Sequence, residues 1–323
     1  MKFIKVAFTC IMIVAVMTAR GQNKYDFIVS KNAAHGEFET VQEAINAVPD
    51  FRKNVTRIFI SNGVYKEKLI LPPSKTNVTF IGEDKKKTIL TYDDYASKKN
   101  RFGETVGTTG STSFYVFADG FTAENITFEN SSGPVGQAVA VRIDGDMVSF
   151  VNCRFLGFQD TLYPHGEQSR QYYKNCYIEG TVDFIFGWST AFFEDCVIYC
   201  KKGGGYITAA STLERTKHGF VFFNCQITGD ADHNTFYLGR PWRPHAKTVF
   251  INCNMGEQIR AEGWHNWNKR DAESTTFYAE FGSTGSGANN TSRVKWSHIL
   301  TAEEAAHYTR EHVLGNWNEP ISR

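Results

Sequence analysis

Apolar residues along this chain gather in short β-branched and aromatic runs separated by turn formers, the signature of strands. Tyr25–Val29, Arg57–Ile60, Val78–Ile81 and Phe114–Phe117 each read as a strand. Helical spacing occurs near the two ends. Thr40 with Glu43 forms a capping box, and Val41, Ala44, Ile45 and Val48 make one apolar face that Pro49 terminates. That helix is expected to lie as a lid over one end of the core. Thr301 with Glu304 opens a second short helix, expected to run through Tyr308.

Between the helices one signature recurs: Asn125-Ile126-Thr127-Phe128, Asn152-Cys153-Arg154-Phe155, Asn175-Cys176-Tyr177-Ile178, Asp195-Cys196-Val197-Ile198, Asn224-Cys225-Gln226-Ile227 and Asn252-Cys253-Asn254-Met255. The intervals are 27, 23, 20, 29 and 28 residues. Units of that size without helices cannot bury an apolar face alone, so they must stack. The expected fold is all-β: a right-handed parallel β-helix with short terminal helices, residues 22–323 forming one domain. Asn or Asp would turn one corner of each coil and hydrogen-bond backbone in the next, with Cys stacked inside. Cys153, Cys176, Cys196, Cys225 and Cys253 then form a buried thiol ladder, disulfides among them being the alternative, while Cys200 falls outside it.

Two of the copies extend further. Residues 151–163 (VNCRFLGFQDTLY) and 174–186 (KNCYIEGTVDFIF) share Asn, Cys, Gly and Asp at the same offsets. Asp160 and Asp183 each stand eight residues after the repeat Asn, so stacked coils place them on one face, roughly 4.8 Å apart along the stack. An ionised Asp inside an apolar run such as Val182–Phe186 is costly unless it is paired or used. Two carboxylates at that range split into an acid and an anion if a cation attends one of them. A ladder of Asp side chains bonding coil to coil is the other reading. Gln137 and Gln159, 22 residues apart, fall in adjacent coils by the same logic. Arg240, fixed between Gly239 and Pro241, suits a bidentate pair with a carboxylate, or else carries a solvated head.

Composition narrows the class. With 41% hydrophobic and 14% aromatic residues in 323, the chain folds around a substantial core. Lys2, Lys5, an apolar run from Val6 to Met17 and Ala19-Arg20-Gly21 read as a signal peptide cut after Gly21, which predicts a secreted or periplasmic protein. The apolar run is too short to span a membrane. Without that segment 32 of the 35 basic residues remain against 34 acidic ones, so nothing favours nucleic acid. Cys and His lack zinc-site spacing, and no metal or cofactor is expected.

Five segments, in order, resemble the signatures of the pectin methylesterase (pectinesterase) family: GVYKE (63–67), GQAVAVR (136–142), QDTLY (159–163), GTVDFIFG (180–187) and LGRPW (238–242). The later GW–NW (263–267) also fits, and the resemblance spans about residues 25–318. It implies a carboxylic ester hydrolase, needing no metal, that removes C6 methyl esters from galacturonan and releases methanol. Asp183 would be the nucleophile, Asp160 the general acid and then base, Arg240 the partner of Asp183, and Gln137 and Gln159 the oxyanion hole. Tyr163, Phe186, Trp242 and Trp264 would be sugar platforms, with core stacking the alternative for Phe186. GVYKE is expected to form a turn and an edge of the cleft, and 93–109 and 201–205 to shape the cleft. No pro-domain processing is expected, and the enzyme would act as a monomer. A pectate lyase or polygalacturonase, or a non-catalytic pectin-binding β-helix, are the competing readings of the same scaffold.

Overall fold

A computed structural model describes residues 24–32 and 35–317; the expected signal peptide lies outside them. Within them the strands form three parallel sheets of eleven, eight and seven strands. Each coil contributes one strand to each sheet in turn, as in 148–151, 154–156 and 162–164, followed by 170–174, 177–180 and 185–187. This is the parallel β-helix that the repeat predicts, with the right-handed crossovers that parallel strands take.

The repeat Asn or Asp sits where the eleven-stranded sheet hands over to the eight-stranded one. What these six corners share is a left-handed backbone, φ 52–57° at Asn125, Asn152, Asn175, Asp195, Asn224 and Asn252. Asn and Asp are the side-chain-bearing residues that tolerate this region best, which is why they recur. The expected side-chain bond to the next coil's backbone is not the common feature. Asn152 instead donates to the Asn125 side chain at 2.5 Å.

The residue after each corner points inward. Cys153, Cys176, Cys196, Cys225 and Cys253 are buried free thiols, and so is Cys200. The Sγ atoms of the five ladder thiols bond backbone carbonyls, Cys176 reaching Phe150 O at 3.3 Å. Beside them runs an aromatic ladder. Phe150, Tyr173, Phe193, Phe222 and Phe250 stack in register, with the three upper centroid spacings at 4.5 Å and planes within 13°.

Both expected capping boxes form. Thr40 and Glu43 open a helix over Val41–Ala47, which buries Val41, Ala44 and Ile45. Thr301 and Glu304 open one over Ala302–Ala305, shorter than the sequence suggests. Glu67 of the GVYKE segment accepts from the amides of Val41 and Gln42 at 3.0 Å, so its carboxylate caps the first helix, where negative charge is favoured. That segment serves the lid, and it does not line the cleft. Among the described residues no helix is long and apolar enough to cross a membrane.

Candidate active site

The seven-stranded sheet carries the cleft, a cavity of about 500 Å³. Asp160 and Asp183 stand immediately before its strands, two residues ahead of the paired Leu162 and Ile185. Both take left-handed φ, 66° and 51°, so each carboxylate is presented from a tight corner between two sheets. The amide of Asp160 donates to Val182 O, and that of Asp183 to Tyr206 O. The equal offset seen in the sequence is therefore a true register, and Asp160 and Asp183 both line the cleft.

Arg240 follows the strand Tyr237–Gly239 two coils on. Its Nε donates to Asp183 Oδ1 at 2.8 Å and its Nη2 to Asp183 Oδ2 at 2.7 Å, the fork-to-carboxylate geometry of a strong ion pair. Gly239 lets this coil pack close against the one before it, since a Cβ there would lie 2.1 Å from Thr208 Oγ1. The guanidinium carbon is 3.7 Å from the ring centres of both Tyr206 and Trp267.

Burial lifts both carboxyls above the ordinary carboxylate range, but not equally. Burial raises Asp183, and the two Arg240 bonds with the Arg240 and Lys269 charges pull it back. Burial raises Asp160 well above that range, the Asp183 charge adds to the rise, and Arg240 opposes it only at longer reach. One proton shared by this pair belongs on Asp160. Arg240 thus favours the charge on Asp183, and burial favours the proton on Asp160.

Gln137 and Gln159 pair directly across adjacent coils as a parallel bridge, and both line the cleft. Among the described residues neither side-chain amide is bonded to another group, so both can donate into the cavity. The backbone of Gln137 is fixed from outside by the amide of Ala96, which donates to its carbonyl at 2.9 Å. Ala96 belongs to the 93–109 segment, whose end, Val106–Thr109, walls the cleft as the sequence suggests. The 201–205 loop does not line it.

Tyr163 and Phe186 stack at 4.0 Å and 17° on the cleft floor, with Trp242 tilted against both. Trp264 is elsewhere. It is 1% exposed, stacks on Tyr278 at 4.3 Å and donates from Nε1 to buried Glu280. Its expected role as a sugar platform is overturned, because no ligand can reach it. Trp267, three residues on, lines the cleft wall. A left-handed Trp267 (φ 56°), whose amide donates to His265 Nδ1, turns the chain so that the second indole of the segment faces outward. Turn formers precede both indoles, Gly263 before Trp264 and Asn266 before Trp267, so the sequence carried no signal that separated them.

The pectinesterase family profile matches residues 26–316. Pectinesterase 31 of Arabidopsis thaliana is 43% identical over 279 residues, covering 84% of this chain and 87% of that protein. A probable pectinesterase/pectinesterase inhibitor of Brassica napus is 38% identical across 94% of this chain, which spans about half (52%) of that longer protein. Among solved structures, the pectin methylesterase from carrot superposes with a TM-score of 0.82 at 32% identity, over 91% of this chain and 95% of that one.

Proposed function

The chain belongs to the pectinesterase family and is an enzyme of that kind, and from this premise we propose that it hydrolyses C6 methyl esters of galacturonan through an aspartyl acyl-enzyme. The observation that carries the reading is the bidentate Asp183–Arg240 pair beside a buried Asp160 that, among the described residues, forms no ion pair. Asp183 Oδ attacks the ester carbonyl carbon, and the negative charge that gathers on the carbonyl oxygen is taken up by the Gln137 and Gln159 amides. Asp160 gives its proton to the methoxy oxygen as the carbon–oxygen bond breaks, so methanol leaves neutral. An anhydride joins Asp183 to the sugar. Asp160, now an anion, takes a proton from water, whose oxygen attacks the anhydride. Asp183 is released as carboxylate, and the new galacturonate loses its proton to solvent.

Neutral Gln donors suit this sequence, since fixed cations there would hold the anionic product. Tyr163, Phe186, Trp242 and Trp267 supply apolar faces for the sugar rings. A cell-wall polysaccharide is met outside the cell, which accords with the leader-like first 21 residues. Gln137→Ala and Gln159→Ala are each expected to lower kcat about 10²–10³-fold. Thermal melts should barely move, because neither amide holds another group.

The pH profile tests the acid and anion assignments. Activity needs Asp183 ionised and Asp160 protonated, so the rate falls as pH drops through the Asp183 pKa and again as pH rises through that of Asp160. Because burial lifts both, and Asp160 further, the window of activity lies above the ordinary carboxylate range. In Asp160→Asn the alkaline limb should vanish from any residual rate. An unchanged alkaline limb would assign the acid to another group.

A further inference from the structure

We propose that Tyr206 is a positioning residue for the reaction, holding Asp183 by its backbone and Arg240 by its ring so that the nucleophile and its counter-ion keep one geometry. The inference rests on the functional reading above. Tyr206 is half-buried and lies outside the cleft lining, so its contacts with the site run through Asp183 and Arg240. Its carbonyl accepts the Asp183 amide at 2.9 Å. Its ring centre lies 3.7 Å from the Arg240 guanidinium carbon, the same distance as Trp267. A planar cation held between two π faces cannot rotate out of the plane that meets both Asp183 oxygens.

The ring is itself braced. Tyr237 stacks against it at 5.3 Å and 16°, and His265 meets it edge-on at 5.7 Å. Arg260 lies over Tyr237 at 4.9 Å, so the stack continues outward. An arginine carries much side-chain entropy, and here the stack removes it before substrate arrives. The charged and titratable groups around the pair are Asp160, Lys269 and Tyr278 toward Asp183, Arg243 toward Lys269, and His265 and Arg260 behind the aromatic stack. None of these can replace Arg240 as the bidentate partner of Asp183, because among the described residues only Arg240 bonds its oxygens.

The test compares Tyr206→Leu and Tyr206→Phe with wild type on methylated pectin, following methanol release against pH, with thermal melts on each protein. Tyr206→Leu should lose roughly 10- to 100-fold in kcat, as misplaced catalytic groups do, with KM little changed. Its acid limb should move to higher pH, by about one pH unit, because a looser Arg240 leaves the buried Asp183 easier to protonate. Tyr206→Phe keeps the ring and should restore both. A folded Tyr206→Leu with an unmoved acid limb, or a Tyr206→Phe equally impaired, would overturn the proposal. If Tyr206→Leu fails to fold, Trp267→Leu removes the opposite face of the clamp, and its acid limb should move the same way or the clamp is refuted. Asp183→Asn assayed alongside separates the two levels. An active Asp183→Asn would refute the functional reading itself, whereas an inactive one with an unmoved limb in Tyr206→Leu refutes only the clamp.

Discussion

Replacing Asp183 with Asn is expected to abolish methanol release, by roughly 10⁴-fold or more, the scale on which loss of a covalent nucleophile acts. The carboxamide matches the carboxylate in size, so packing around it is retained. It lacks the charge that attacks the ester and offers Arg240 one acceptor oxygen where the wild type offers two. Arg240 remains held by Tyr206 and Trp267, so the cleft should keep its shape and the variant should fold. Circular dichroism and a thermal melt matching wild type, together with a methanol assay at background, are the expected results. Substantial activity in a folded variant would take the nucleophile away from Asp183.

The largest expected effect on stability lies beneath the site. Arg293 and Glu280 form an ion pair that is almost completely buried, side-chain exposures 3% and 1%, with Nε to Oε1 at 2.8 Å and Nη2 to Oε2 at 3.0 Å. Arg293 also donates to the carbonyls of Arg260, Ala261 and Gly287, and Glu280 accepts from Trp264 Nε1. Gly263 makes room for it, since a Cβ there would lie 2.5 Å from Arg293 Cδ. Arg293→Met would leave Glu280 as a buried charge without its cation and take a donor from the Gly287 carbonyl. A loss of about 3–5 kcal/mol is expected, read as a melting point lower by on the order of 10 °C. Activity at low temperature should fall only with the folded fraction, which a parallel melt and rate measurement would show.

The solenoid was readable because its corners need a left-handed backbone, and that need writes Asn or Asp at intervals near one coil length. Register was readable where two coils share every offset, which is how Asp160 and Asp183 came out as neighbours. The interior aromatic ladder was less visible, since Phe150, Tyr173, Phe193, Phe222 and Phe250 sit in strands among many other aromatics. Trp264 and Trp267 could not be told apart by sequence. Both follow turn-forming residues, and what separates them is the buried partners of Trp264, Glu280 and Tyr278, which lie far along the chain. The role of Glu67 was hidden for a similar reason, because the helix end it caps is 25 residues away in the chain. Tyr206 carries no motif at all, and only its three-dimensional place against Arg240 and Asp183 marks it.

The competing uses of such a scaffold make different products. A lyase would leave unsaturated sugars, and a glycosidase new reducing ends. A non-catalytic binding module has no need of a buried acid beside an arginine-paired carboxylate. The measurement that tests the account most directly is therefore one reaction on highly methylated pectin, with wild type and Asp183→Asn side by side. Methanol, titrated carboxylate and ultraviolet absorbance are followed in the same tubes. The account predicts that wild type releases methanol and carboxylate one for one with no ultraviolet rise, while Asp183→Asn releases neither. Methanol from the variant at the wild-type rate, or an ultraviolet rise without methanol from wild type, would contradict it.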